Sequence, residues 1–261
     1  MNRIDLKALS PQPKGKTIKF RPIEERLGSV LDYTAALKRI VKIIAAALKN
    51  EVLPAYRFDA LTRDELSWFQ GMKAAVGFAV SGAVDTVKKV FSAESENHTK
   101  RTISDIKRSL KLDVSSTVIS SDISDFMASV FARNESMTGI FAADTMADVE
   151  RITMTAKARR DPLSKLKVNL LKSLKKARRR AELVARDQLS TFLSELTLER
   201  LKQMGVKLYA WSTSLDERVR ARHAALEGRV YKLGEPTAAE GGGAPGTPVN
   251  CRCKPVGVIK Y

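Results

Sequence analysis

The sequence predicts an α+β protein: a mostly helical N-terminal and central region, then a small C-terminal α/β unit made of a few-stranded sheet plus helices. Three observations carry that expectation. Apolar residues recur three or four apart through most of the stretch from Leu27 to Gly205, the spacing of amphipathic helices. Beyond Gly205 the pattern changes to short alternating runs with aromatics, divided by Gly and Pro clusters, the texture of strands and turns. Size is the third: 261 residues with 44% apolar side chains can bury an ordinary core, as one large domain or two modest ones.

Residues 1–26 read as an extended basic arm. Pro11, Pro13 and Pro22 forbid a continuous helix, and Arg3, Lys7, Lys14, Lys16, Lys19, Arg21 and Arg26 outnumber three acids. Apolar punctuation at Ile4, Leu6, Leu9, Ile18 and Phe20 favours docking on a partner over disorder. A helical region, 27–150, follows. Leu27, Val30, Leu31, Leu37, Ile40, Val41, Ile44 and Leu48 set a first helix over about 27–52, with Pro54 after its end. A second is expected over about 62–92, where Thr62 and Glu65 have capping-box spacing. Its Ala74, Gly77, Phe78, Ser81 and Gly82 form a face expected to let another helix approach closely. A third covers about 97–112, and Ser120, Ser121 and Asp122 open another that reaches Arg133.

Asp161-Pro162 marks a boundary, an N-cap residue followed by proline at the first helical position. Within a domain expected over 157–261, a basic helical segment spans 162–204. Its stripe runs Leu163, Leu166, Leu170, Leu174, Ala177, Ala181 and Val184, then Leu189, Phe192, Leu193 and Leu196, until Gly205 stops it. Two helices meeting near Lys172–Arg180 are expected rather than one. Val206–Trp211 alternates as a strand. Ser214 and Glu217 have capping-box spacing and open a short helix to Leu226, terminated by Gly228. Arg229–Leu233 reads as a further strand, 234–248 as a mobile Gly/Pro loop, and Cys253–Tyr261 as a last strand, placed at an edge by Pro255.

Charge narrows the function. Lys and Arg number 46 against 29 Asp and Glu, a net charge of +17, which points to a polyanionic partner and away from most small-metabolite chemistry. Two cysteines build no disulfide framework. No run of eighteen apolar residues exists, so no membrane span is expected. Met1–Asp5 lacks the apolar stretch of a secretory signal, so the chain is expected to stay in a reducing cytosol.

The densest charge lies between Lys157 and Arg180, with eleven basic residues against Asp161 alone. Such a segment repels itself unless an external anion is present, and a phosphate backbone meets that need. The candidates for DNA contact are Lys165, Lys167, Lys172, Lys175, Lys176, Arg178, Arg179 and Arg180; the competing reading is a solvated helix face. Nothing here resembles a helix-turn-helix, and few aromatics interleave to stack bases.

Asp216, Arg220, His223 and Glu227 project as one polar stripe of the short helix, with Leu215, Val219 and Leu226 adjoining. His223 beside Cys251-x-Cys253 raises zinc as a question. Three ligands fall short of a structural site, and the C-x-C spacing is tight. The expectation is therefore no metal and no cofactor, with the stripe forming a polar clasp on the loop around Asn250–Arg252. A thiolate–imidazole pair of Cys251 and His223, oriented by Asp216, is the catalytic alternative. No nucleophile signature surrounds either cysteine, no phosphate-binding loop exists, and no catalytic residue is assigned.

Several segments, in order, carry a resemblance. They are Arg180–Gln188, Gly205-Val206, Tyr209–Ser214, Asp216–Arg220, His223, Gly228, Pro245-Gly246 and Asn250–Cys253. With that order and spacing the chain resembles the phage Mu F-like head morphogenesis family, the minor head proteins of tailed bacteriophages. Phe131–Ile140 is similar to the family's segment ahead of the basic helices. The residues that carry the resemblance and form the expected structural clasp are Arg186, Asp187, Gln188, Trp211, Thr213, Asp216, Arg218, Arg220, His223, Gly228, Asn250, Cys251, Arg252 and Cys253. Relatives often place a histidine or further polar residue just before the final Cys-Arg-Cys. Here Thr247-Pro248-Val249-Asn250 stands there, which speaks against a four-ligand metal site.

The resemblance implies a portal-associated, non-enzymatic virion component assembled in the host cytoplasm and acting in head morphogenesis and DNA packaging. The expected partners are the portal protein, the capsid shell and packaged DNA bound without sequence preference. No membrane and no small-molecule substrate are expected. Two alternatives stay open: a DNA-binding module independent of the portal, and a Cys/His hydrolase or toxin-like domain.

Overall fold

A computed structural model describes residues 4–57, 65–120 and 123–261. Its elements are α1 (Leu6–Leu9), β1 (Thr17–Lys19), α2 (Leu27–Ala47), a π-helical turn (Leu48–Val52), α3 (Leu53–Ala55), α4 (Glu65–Leu110), α5 (Ser115–Ser120), α6 (Ser124–Ala158), α7 (Leu163–Gln203), β2 (Leu208–Ser212), α8 (Ala221–Ala224), β3 (Val230–Lys232), a 3-10 turn (Glu240–Gly242) and β4 (Lys254–Lys260). The fold is α+β, as the sequence predicts. The chain forms two compact units, one of residues 1–27, 91–127 and 186–261, the other of 28–90 and 128–185. Thus α4, α6 and α7 each contribute residues to both.

The first unit holds a four-stranded antiparallel sheet in the order β1-β4-β2-β3. The arm therefore finds its partner within the chain. Thr17–Lys19 pair with Val258–Lys260, Leu6 is fully buried and Ile18 nearly so, and Asp5 caps α1 through the Lys7 and Ala8 N–H groups. Two apolar side chains of the arm thus enter one core with Ile106, Leu201, Tyr209 and Ile259. The last strand is central, not an edge. Trp211 directs its N–H and C=O to Arg229 and Gly228, away from β4. Pro255, opposite Trp211, consequently turns its donorless nitrogen toward the β1 side, where the last backbone bond runs from Phe20 N to Gly257 O, two residues short of it. Proline is tolerated because the neighbouring strand stops short of it.

The long helices among the described residues are fewer and longer than the apolar periodicity predicts. One helix, α4, replaces the two expected over 62–92 and 97–112. Polar residues interrupt the stripe there, yet they lie inside: Glu94 is fully buried and accepts from Arg26 Nε at 2.5 Å, and His98 is 1% exposed. His98 Nε2 meets Thr197 Oγ1 at 2.8 Å, and Thr102 Oγ1 lies 3.3 Å from Nδ1. Likewise α6 continues to Ala158 on buried threonines. Thr138, Thr145 and Thr153 each return a hydroxyl to the carbonyl four residues back, at 2.7–2.9 Å. Thr62, Ser121 and Asp122, expected at helix starts, lie outside the described residues.

α7 is also one helix, without the break expected near Lys172–Arg180. Leu166, Leu170, Leu174, Ala177, Ala181, Ala185, Leu189, Phe192 and Leu196 are all buried, an uninterrupted stripe at helical spacing. Lys and Arg are good helix formers, so a basic run on the opposite face breaks nothing. In the second unit Tyr33 OH donates to Asn134 Oδ1 at 3.0 Å, and Asn134 Nδ2 donates to Val130 O. Here α4 buries Met72, Val76, Ala79, Ala83 and Val87. Ala74, Gly77, Phe78, Ser81 and Gly82 face outward instead, and a Cβ at Gly77 or Gly82 would meet open space. The expected close helix contact is not formed on that face.

Candidate functional site

Two arrangements carry chemistry. The first is the cationic face of α7 in the second unit. Lys165, Lys167, Lys172, Lys175, Lys176, Arg178, Arg179 and Arg180 are all exposed. Lys165 pairs with Asp161 and Arg180 with Asp144, at 2.7 and 2.6 Å. The other six have no ion pair among the described residues. Half-exposed pairs of this kind contribute little in water, so the face keeps most of its positive field.

The second arrangement lies in the first unit, between α7, β2, α8 and the start of β4. The segment expected as one helix from Ser214 to Leu226 is helical only over Ala221–Ala224. Ahead of it Asp216 closes a turn, accepting from Arg218 N at 3.0 Å, while Leu215 has φ +53° and is 81% exposed. Asp216, Arg220, His223 and Glu227 are therefore not a helical stripe. Each goes its own way. Arg252 Nη2 donates to Asp216 Oδ1 at 2.5 Å, Arg220 Nη2 to Val249 O at 2.6 Å, and Thr213 N to Glu227 Oε2 at 2.6 Å. Burial raises the Asp216 carboxyl, and the hydrogen bonds from Arg218, Arg252 and Ser214 outweigh it, leaving the pKa lowered.

His223 turns inward, 2% exposed, with its ring edge-on to Trp211 at 5.2 Å. Nε2 donates to Glu240 Oε2 at 2.7 Å. That hydrogen bond holds the Glu240 carboxyl down to about 2. Nδ1 lies 3.4 Å from Cys251 Sγ and 3.8 Å from Cys253 Sγ, both thiols being buried. A hydrogen bond from Cys253 is the main cause that pulls the Cys251 thiol down to about 5, with the Cys253 and Gly246 N–H groups adding to it against burial. Donating that bond, together with burial, drives the Cys253 thiol upward. Of the two, Cys251 is the thiol whose ionised form the surroundings favour.

A frame around the thiols comes from α7. Ser190 Oγ donates to Cys251 O at 3.0 Å, Thr191 Oγ1 to Gly246 O at 3.1 Å, and Asn250 N to Asp187 Oδ1 at 2.5 Å. Arg186, exposed, lies near enough to Glu25 to lower its carboxyl, and Gln188 Nε2 meets Asp187 Oδ2 at 3.4 Å. Gly228 closes β2 on β3 by donating to Trp211 O at 2.8 Å. The stretch expected as a mobile loop is a series of turns: Thr237 Oγ1 donates to Gly243 O, Thr247 Oγ1 to Ala244 O, and Ala239, Pro245 and Gly246 are buried. Sequence reasoning assigned no role to Glu240, Ser190 or Lys254. Glu240 is preceded by no motif, and only the tertiary fold brings it to His223.

Comparison with known proteins bears on the same region. Residues 132–256 match the family model described as "Phage Mu protein F like protein". Over 270 aligned residues the chain is 26% identical to an "Uncharacterized protein" of Haemophilus influenzae (strain ATCC 51907 / DSM 11121 / KW20 / Rd), covering 98% of this chain and 59% of that protein. The chain thus spans less than two thirds of this relative's length. No solved structure matches. The family match takes in α6 from Ala132 onward, all of α7, and the His223–Cys251–Cys253 cluster, so residues 132–256 belong to the phage Mu F-like family.

Proposed function

We propose that the chain is a minor head protein of a tailed bacteriophage, associated with the portal and acting in head morphogenesis and DNA packaging. The match of residues 132–256 to the phage Mu F-like family carries this reading. The six cations of α7 that have no ion pair among the described residues support a DNA-facing role, because an exposed cationic helix face binds phosphates without reading bases. In this reading the clasp around His223 is scaffolding that fixes the C-terminal sheet, and its residues are not catalytic. The protein resides in the virion head near the portal vertex, with portal, shell and packaged DNA as its partners.

The test uses the full chain. Binding to random-sequence duplex DNA should weaken steeply with salt. Replacing Lys167, Lys172, Lys175, Lys176, Arg178 and Arg179 with Gln should flatten the log–log slope by about 0.9 for each phosphate that is no longer neutralised. Co-expressed portal protein should retain both the wild type and this variant. An unchanged salt slope removes the α7 face from DNA binding, and failure to retain the portal at low salt removes portal association.

A further inference from the structure

His223 and the two cysteines hold three metal-binding atoms in one buried cluster. Nδ1 and the two sulfurs all lie within 4.8 Å of one another. Zinc–nitrogen and zinc–sulfur bonds of about 2.05 and 2.3 Å at a tetrahedral angle place N and S about 3.5 Å apart. The observed separations are 3.4 and 3.8 Å. The two nitrogen–sulfur edges therefore match those of a tetrahedral coordination sphere.

Two surrounding groups point the same way. Glu240 accepts from His223 Nε2, and an ionised carboxylate has no proton to give. A neutral ring therefore carries its proton on Nε2 and turns the Nδ1 lone pair to the sulfurs, the carboxylate–histidine arrangement that orients a metal ligand. Trp211, fully buried, has no hydrogen-bond partner at bonding distance for its indole N–H, yet that N–H lies near enough to Cys253 to favour its thiolate form. It packs in the cluster that holds Cys251 and Cys253. A donor of that kind is costly beside a neutral thiol and is satisfied by a metal-bound thiolate, whose sulfur keeps a full negative charge.

We propose that Cys251 Sγ, Cys253 Sγ and His223 Nδ1 bind one zinc-class divalent cation per chain, with Glu240 orienting the histidine and Trp211 Nε1 donating to the Cys253 thiolate. This departs from the expectation, drawn from the ligand count, the C-x-C spacing and the residues ahead of Cys251, that no metal is held. Among the described residues no fourth His, Cys, Asp or Glu joins the group, so the fourth ligand is a water or a group from outside the chain. Two thiolates with one imidazole select zinc or cobalt over magnesium or calcium. The proposal is independent of the phage-head reading, since nothing in its argument uses DNA or portal contact.

Full-length protein freed of any histidine tag is equilibrated under reducing conditions with micromolar zinc or cobalt, desalted, and assayed for bound metal. One metal per chain is expected, and the cobalt form should show thiolate charge-transfer absorption with the intense visible bands of a tetrahedral site. Zinc should shield both cysteines from alkylation. C251S, C253S and H223Q should each lose binding at least a hundredfold. E240Q should keep the cobalt–thiolate bands yet bind on the order of 10–100-fold more weakly, a variant that touches no ligand and keeps a hydrogen-bonding partner. Substoichiometric metal in the wild type, a cobalt spectrum without thiolate bands, or alkylation that zinc does not slow would each overturn the proposal. Rapid alkylation of Cys251 alone would then favour a metal-free thiolate–imidazolium pair.

Discussion

Lys254 Nζ donates to Glu25 Oε2 at 2.7 Å, with the two side chains only 6% and 17% exposed and the residues 229 apart in sequence. The same ammonium donates to Ser190 Oγ at 2.9 Å, which in turn holds Cys251 O. One buried cation thus ties the arm, α7 and the final strand together beside the thiol cluster.

Breaking that pair from one side leaves a charge buried without its partner. Lys254→Met should cost about 3–5 kcal/mol in chemical denaturation, and Lys254→Met with Glu25→Leu should recover most of the loss. Burial raises the Glu25 carboxyl, and the attraction of Lys254 outweighs it, so the folded pKa is lowered. A lowered folded pKa means stability that is complete above the ordinary carboxylate range and lost as pH falls below it. Glu25→Gln should remove that part of the acid sensitivity. An unchanged acid limb in the variant refutes the role of the pair.

His98 supplies a second, separable acid response. Burial first, and then the positive charges of Arg200 and Arg101, hold its imidazole down to about 3. The unfolded chain binds a proton near 6.5, so between about 6.5 and 3 the unfolded state carries more protons than the folded one. Stability contributed by the neutral ring is complete above about 6.5 and declines as pH falls through that window. His98→Gln, which keeps a donor for Thr197, should flatten the stability–pH curve between about 6 and 4. Proton titration by NMR that places His98 near its ordinary value would refute this.

Gly246 sits at φ +82°, and a Cβ there would fall 2.1 Å from Ser194 Oγ and 3.0 Å from Cys253 O. Gly246→Ala should therefore destabilise the protein by ~2–4 kcal/mol, from the left-handed backbone and the collision together. Adding Ser194→Gly should return only the part due to the collision. A melting temperature unmoved by Gly246→Ala would show that the turn is not fixed as described.

By itself the sequence determined the α+β class, the helical stripe of α7, and the position of β2 and β3 to within about two residues. Those features are local: a period of 3.6 or 2, a cap or a Gly stop is written within a few residues of chain. The tertiary structure decided the rest. Helix continuity at Glu94, His98 and the α6 threonines depends on buried polar groups whose partners lie elsewhere in the chain, so the apolar period fades where the helix does not. The arm joins the sheet and β4 becomes central because Thr17–Lys19 pair with residues more than two hundred positions away, a choice no local window records. Glu240 and Trp211 gain their chemistry in the same way, from the side chains that folding places against them.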